Sequence, residues 1–248
     1  MSPDQPMMLL VRKLQTRVSL DRTDVQAVLE LPFAPHLYEA PGYLVREGTT
    51  ALQQCSFIRT GFAIRQKLTI DGNRQIVGLC LPGDFVDLQH LFLDRSDHNV
   101  QALTRLEAID VDRAALQQLA QARPNVGKAL WIDSLIEASI HREWVLNVGR
   151  RDARQRIAHL LCEFVLRMRH AGLDQETNRE FPMTLEQLAD AVGLTSVHVN
   201  RTLKALAAEG VIRRTKRFLA FTDWDQIRDI GDFSAIYLHL DQGGPEGV

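Results

Sequence analysis

The chain has 248 residues, 45% of them hydrophobic, with 29 Lys/Arg against 31 Asp/Glu. That length supports two domains with their own cores. No apolar run approaches the ~18 residues of a membrane span, and the opening residues lack a small-residue cleavage site after an apolar stretch, so no membrane partner and a cytoplasmic location are expected.

Cys55, Cys80 and Cys162 are odd in number and far apart, without Cys-x-x-Cys or Cys/His metal spacing. They read as buried free thiols in a reducing compartment. From residue 31 to 112 glycines at 42, 48, 61, 72, 78 and 83 separate short apolar runs at 43–45, 56–58, 62–64, 67–70 and 76–81. Short strands with frequent turns predict an antiparallel barrel or jelly roll. Asp71-Gly72 is a hairpin signal because glycine accepts the positive φ of a tight turn, and Pro82-Gly83-Asp84 marks another turn.

From Pro124 to about Gly149 the spacing lengthens to that of a helix, with Ala129, Leu130, Ile132, Leu135, Ile136, Ile140, Trp144 and Val148 three or four apart on broad faces. So apolar a helix needs partners on more than one side. One side can cover the β domain, and Leu135, Ile136, Ile140, Trp144 and Val148 are expected to pair with a second copy in a homodimer. Gly149-Arg150-Arg151-Asp152 reads as a hinge, and residues 153–170 resume as an amphipathic helix.

Thr184 with Gln187 makes a capping box, followed by an apolar face of Leu185, Leu188, Ala189 and Val192. Gly193 suits the left-handed end of that helix and the sharp turn of a helix-turn-helix, and Thr195 can cap the next one. There Val199, Leu203 and Leu206 point one way and Val197, Asn200, Arg201 and Lys204 the other. An amide and a guanidinium near a helix N-terminus match adenine and guanine edges in the major groove. Ser196 and His198 fall toward the phosphate backbone. After Gly210, two β-like runs bracket Thr215-Lys216-Arg217 and bring Arg213, Arg214, Lys216 and Arg217 together as a wing for phosphates. A short helix at Trp224–Ile230 and a tail ending in Gln242-Gly-Gly-Pro-Glu-Gly-Val complete the chain.

Charge agrees once it is divided. Residues 150–220 hold 13 Lys/Arg against 8 Asp/Glu, whereas the remainder holds 16 against 23. Positive potential is concentrated where the helix-turn-helix lies, and a basic module is drawn to double-stranded DNA.

The order β-roll, long helix, hinge, winged helix-turn-helix resembles the Crp/Fnr family of bacterial transcription regulators. The resemblance rests on Leu81-Pro82-Gly83-Asp84-Phe85, on residues 152–158, and on Gly193-Leu194-Thr195 through Asn200-Arg201-Thr202-Leu203. It implies an α+β chain: an N-terminal helix and β-roll sensor over 1–122, a dimerisation helix over 123–149, a hinge at 150–152, a DNA-binding domain over 153–232 and a tail over 233–248. It also implies a homodimer on a palindromic operator, contact with RNA polymerase, and a signal passed by re-orienting the two recognition helices.

The family's effector chemistry is altered. Where cyclic-nucleotide-binding members carry a Gly-Glu pair and an Arg-Ser or Arg-Thr pair, this chain has Asp87-Leu88 and His98-Asn99. The dimer helix has His141-Arg142 where cyclic-AMP receptors place hydroxyls, and Arg95 lies in the nearby loop. With an acidic Asp87 and no guanidinium at those matching positions the electrostatics are wrong for a phosphate, although Arg142 could serve an anion, so Asp87, Arg95, His98, Asn99, His141 and Arg142 line an altered site whose small-molecule effector, if one exists, is unidentified. No cysteine precedes Cys55, which removes the thiolates for a [4Fe–4S] cluster of the family's oxygen sensors. No cofactor is predicted. His36, His90, His98 and His141 lack ligand spacing, so no metal is expected. In the reader, Val197 replaces a Glu that many members use to accept from cytosine.

Two other classes remain open in the sequence: a metal-dependent β-barrel enzyme, against which stands the lack of His-x-His spacing, and a sensor or scaffold that does not bind DNA, against which stand the intact cap, turn, Asn200 and Arg201.

Overall fold

The structure is a computed structural model that describes residues 6–50, 53–173, 179–214 and 218–240. The chain divides into two compact units, Met1–Arg65 with Leu79–Ser139 and His239–Val248, and Gln66–Gly78 with Ile140–Leu238.

The first unit opens with two helices, α1 (Pro6–Gln15) and α2 (Arg22–Leu29). Asp21 caps α2 and Asp24 reciprocates, a capping box of two aspartates. The strands follow: β1 (Phe33–Tyr38), β2 (Tyr43–Val45), β3 (Gln54–Thr60), β4 (Ala63–Leu68), β5 (Arg74–Cys80), β6 (Asn99–Ala102) and β7 (Leu106–Asp112). They form two sheets, in the order β1-β7-β3 and β2-β6-β4-β5. The runs at 62–64 and 67–70, read separately from sequence, are one strand, because Arg65 and Gln66 between them are buried and continue β4.

The sheet of β1, β7 and β3 is covered on both faces. Cys55 and Phe57 of β3 and Ile109 and Val111 of β7 pack with Met7, Leu10 and Leu14 of α1 and with Val126 and Leu130. The alternate residues, Ile58, Leu106 and Ala108, pack with Val45, Ala63, Cys80, Val86 and Val100. Period-two alternation with apolar residues on both sides produces the unbroken buried run of β3. The expected turn is present: Asp84 N–H donates to Leu81 O at 3.0 Å, and the segment then runs along β3, with Val86 N–H on Ser56 O at 2.9 Å. A helix not anticipated from sequence, α3 (Arg113–Ala122), is capped by Asp112 and precedes α4 (Pro124–Arg150).

In the second unit α5 (Ala153–His170) starts at an Asp152/Gln155 capping box, with Arg151 between that cap and the end of α4 at Arg150. Then come β8 (Arg179–Glu180), α6 (Leu185–Val192), α7 (Ser196–Ala208), β9 (Ile212–Arg214), β10 (Phe218–Phe221) and α8 (Trp224–Ile230). The small sheet runs β8-β10-β9, and α5 supplies Ile157, Leu160, Leu161, Phe164 and Val165 to the interior. Residues 66–78 contribute the β4–β5 turn, where Gly72 at φ +81° donates to Thr69 O at 2.9 Å.

Candidate nucleic-acid interface

The reader is built by local chemistry. Thr184 accepts from Gln187 N–H while the Gln187 amide oxygen accepts from Thr184 N–H at 2.8 Å, which fixes the start of α6. Gly193 ends it at φ +64°, a conformation that costs other L-residues roughly 1 kcal/mol or more. Two residues later Thr195 accepts from His198 N–H at 3.2 Å and starts α7. Cap, left-handed glycine and second cap within a dozen residues force the two helices to diverge.

The C-terminal carbonyls of α6 are held by side chains. Gln75 Nε2 donates to Asp190 O at 2.7 Å, Arg156 Nη1 donates to Val192 O at 3.1 Å, and Arg74 Nε pairs with Asp190 Oδ2 at 2.7 Å. These donors satisfy groups that a helix end leaves unpaired.

On α7, Val199, Leu203 and Leu206 are buried, as expected, together with Thr202, whose hydroxyl donates back to His198 O at 3.0 Å. The opposite face is open: Val197 is 79% exposed, Thr195, Ser196, Arg201 and Lys204 are exposed, and His198 and Asn200 are half-buried. A bare valine beside a free arginine suits a groove that offers methyl groups and acceptors. In the wing, β9 and β10 pair antiparallel with Ala220 opposite Arg213, and the Arg213 side chain is exposed. Arg214 lies on β9 opposite Leu219. Lys216 and Arg217 lie outside the described residues, as does the tail from residue 241.

Three of the β-roll residues named from sequence, Asp87, His98 and Asn99, are held by internal contacts. Asp87 is 2% exposed and its Oδ1 accepts from Ser56 N–H at 2.7 Å; burial pushes its carboxyl above the usual range. Asn99 is buried and accepts from Glu47 N–H at 3.0 Å. His98 Nδ1 sits 2.7 Å from Asp97 Oδ1, and burial lowers its imidazole below the ordinary value. Arg95 is exposed. His141 and Arg142 belong to the second unit.

Beside the residues named from sequence, the roll holds a buried guanidinium, that of Arg65. This strand residue is 6% exposed, donates from Nη2 to Phe85 O at 2.7 Å, and places the same nitrogen 2.6 Å from Glu137 Oε1 on α4. Its sequence signal is weak, since β4 reads Ala-Ile-Arg-Gln-Lys-Leu and an arginine beside a glutamine and a lysine does not stand out. An acidic Asp87 and an Arg65 already paired do not fit the phosphate of a cyclic nucleotide.

The three cysteines are buried and free, with the Cys162 thiol pushed up to about 12 by desolvation. Among the described residues no group of His, Cys, Asp and Glu is arranged to hold a metal. Among them, too, no helix is long and apolar enough to cross a membrane.

The residues named for dimerisation divide. Leu135 is exposed, but Ile136 and Trp144 are turned into their own chain, 5% and 8% exposed, and Ile140 and Val148 are half-buried. The exposed apolar residues of α4 are Trp131, Leu135, Val145 and Leu146. The broad apolar circumference of this helix hid which side its own chain covers.

Residues 155–230 match the family described as Crp-like helix-turn-helix domain, and residues 35–123 match the cyclic nucleotide-binding domain. The transcriptional activator protein FnrL of Cereibacter sphaeroides is 36% identical over 182 residues, 71% of this chain and 72% of that protein. The chain belongs to the Crp/Fnr family of bacterial transcription regulators. The nitrogen fixation regulation protein FixK of Azorhizobium caulinodans is 32% identical over 146 residues, 59% of this chain and 58% of that one. The structure of FixK2 from Bradyrhizobium japonicum superposes with a TM-score of 0.75 at 24% identity, covering 83% of this chain and 100% of that one, which shows the fold. The family membership settles the class: a DNA-binding transcription regulator and not an enzyme.

Proposed function

We propose that this Crp/Fnr regulator acts as a homodimer on a two-fold symmetric operator, each protomer laying α7 in a major groove. The observation that carries the reading is the division of α7 into a buried face and an open one bearing Val197, Arg201 and Lys204. Arg201 reads a guanine through its two terminal nitrogens, Asn200 serves an adjacent base, and the Val197 methyls pack on a thymine methyl at a third. Thr195, Ser196 and His198 reach phosphates at the helix N-terminus, and Arg213, Arg214, Lys216 and Arg217 grip the backbone from the wing.

The second copy meets α4 along Trp131, Leu135, Ala138, Arg142 and Val145, which recur at alternating spacings of four and three, the seam of a two-stranded coiled coil. The functional segments are the sensor 1–122, dimer helix 123–149, hinge 150–152, reader 153–232 and tail 233–248. The relative FnrL is named a transcriptional activator, and activation here proceeds by contact with RNA polymerase in the cytoplasm. No cyclic nucleotide or iron–sulfur cluster is required. This is supported by the internally occupied Asp87 and Asn99 and by the separated cysteines.

The test is selection of binding sites from randomised DNA by the purified protein without additives. A palindrome with a guanine at matching positions, its half-sites about one helical turn (~34 Å) apart, is the expected result. Recovery of no sequence above background overturns the reading.

A further inference from the structure

Arg65 is the arginine that β4 carries into the roll. Taking a guanidinium out of water is costly unless an anion and hydrogen bonds replace the lost hydration. Burial works against its charge, but the negative groups around it, Cys80 when ionised and the carboxylates of Glu137, Asp84 and Asp87, more than offset that, and its affinity for the proton ends above the ordinary value. Phe85 O takes one hydrogen bond from Nη2, and the anion in contact with that nitrogen is Glu137.

Glu137 reaches the roll from α4, the helix assigned to dimerisation, and both residues lie in the first unit. The His98 ring feels both charges, and its Nε2 is buried with no hydrogen-bond partner among the described residues. Arg65 and His98 therefore share the part of the roll next to the Pro82-Gly83-Asp84-Phe85 turn, and among the carboxylates around them Glu137 is the one in contact with the guanidinium. In an anion site the carboxylate would belong to the ligand. Here the chain supplies it.

We propose that Glu137 is a built-in anion that occupies Arg65 in place of an effector, tying the β-roll to α4 without a ligand and leaving a latent site for a small oxyanion when its carboxylate is removed. The inference rests on the reading of the chain as a dimeric DNA-binding regulator. Glu137 competes for the guanidinium at an effective concentration that a dilute anion cannot match, because it is attached to the same chain. An effector would have to displace it and leave its charge half-buried.

The test uses the full-length protein, wild type and Glu137→Ala, Glu137→Gln and Arg65→Met/Glu137→Met variants. Operator affinity and melting temperature are measured in sodium propionate, sodium phosphate and sodium chloride at one ionic strength. The wild-type protein is expected to bind operator equally in all three salts. Glu137→Ala loses ten-fold or more in chloride, recovers at least three-fold in propionate, and melts higher in propionate than in chloride. Glu137→Gln, whose amide fills the space without the charge, is weakened and is not rescued. The double variant removes the stranded charge, so it folds and is blind to propionate; if Glu137→Ala does not fold, propionate-assisted refolding of that variant and not of the double variant supports the proposal.

Operator affinity and melting of Glu137→Ala equal to wild type in all three salts overturn it, as does equal stabilisation of the double variant by propionate. Failure of wild-type protein to bind any DNA would overturn the regulator reading instead, while propionate-specific stabilisation of Glu137→Ala would still identify Glu137 as the occupant of Arg65.

Discussion

The indole N–H of Trp144, near the end of α4, lies 3.1 Å from each carboxylate oxygen of Glu163 on α5. Glu163 is 1% exposed, and it also accepts from Tyr237 O–H at 2.9 Å and from Arg167 Nη1 at 3.2 Å. One buried carboxylate thus fastens three parts of the second unit: the last turns of α4, the helix that opens the reader, and the short 3-10 turn Ile236–Leu238.

Removing that carboxylate strands three donors at once. Glu163→Leu is expected to destabilise the protein by about 3–5 kcal/mol, because Arg167 keeps its charge and loses the buried carboxylate it donates to. Trp144→Phe removes one donor of several and costs about 1–2 kcal/mol. Urea denaturation of the two variants checks the ranking, and a Glu163→Leu variant as stable as wild type would show that the network does not hold the fold.

His159 adjoins the same cluster and gives it a pH dependence. Its Nδ1 faces Gly231 O at 3.1 Å, so that nitrogen carries the hydrogen, and Nε2 faces Tyr237 Oη at 3.1 Å and Glu143 Oε1 at 3.5 Å. Burial first, then the Arg151 guanidinium, hold the imidazole below its ordinary value, against the pull of Glu163, Gly231 O and Glu143. The unfolded chain therefore binds more protons between the ordinary pKa of about 6.5 and the lower folded one. Stability contributed by His159 is full above about pH 6.5 and is lost as the pH falls through that window. The melting temperature is expected to fall below pH 6.5 more steeply in wild type than in His159→Gln; parallel curves would remove His159 as the cause.

Base reading by α7 separates from phosphate gripping by its effect on sequence preference. Arg201→Ala is expected to cost about 1–3 kcal/mol of operator binding and to relax preference at one base pair, whereas Arg213→Ala weakens all sequences alike and reduces the salt slope. Val197→Glu should replace a thymine preference with one for cytosine, since a carboxylate accepts from the cytosine amino group and a valine cannot. Repeating the site selection with each variant checks this, and an unchanged consensus for Val197→Glu would refute the assignment.

What the sequence showed of this protein was what is written within a few residues of itself. The Thr184/Gln187 box, Gly193 and Thr195 act over three or four positions, so type and spacing alone located α6 and α7. Trp224–Ile230 and Ala153–His170 were legible for the same reason. Arg65 was not, because its partner Glu137 is distant in the chain and an arginine in a strand reads as solvent-facing until Phe85 O and Glu137 are seen to hold it. The covered side of α4 was hidden by an excess of apolar residues: Ile136 and Leu135 are equal in hydropathy and adjacent, and only packing shows that the first is inside and the second is not.

That difference decides how α4 variants should behave. Leu135→Glu and Val145→Glu place charge on the open seam and are expected to yield folded monomers with wild-type melting at low concentration and operator binding reduced at least ten-fold. Trp144→Ala instead creates a cavity and takes one of its donors from Glu163, costing about 3–5 kcal/mol without changing the association state of the protein that remains folded. Analytical ultracentrifugation beside thermal melting separates the two outcomes. Dimeric Leu135→Glu and Val145→Glu proteins would place the interface elsewhere.

The β4–β5 turn bears on the reader through residues of the second unit. Arg74 and Gln75 grip Asp190 and its carbonyl at the end of α6, one turn before the glycine that sets the angle to α7. The Arg74 and Asp190 side chains are each about a quarter exposed, so the ion pair adds little to global stability. Its effect is local: carbonyls that lose Gln75 must turn to water, and the last turn of α6 frays more often. The Arg74→Ala/Gln75→Ala variant is therefore expected to melt within a few degrees of wild type while amides of residues 190–195 exchange with deuterium at least five-fold faster. Operator affinity should fall in step, because an α7 whose starting angle fluctuates spends less time in the geometry both half-sites demand. Unchanged exchange over 190–195 would show that the glycine turn holds that angle without help from the hairpin.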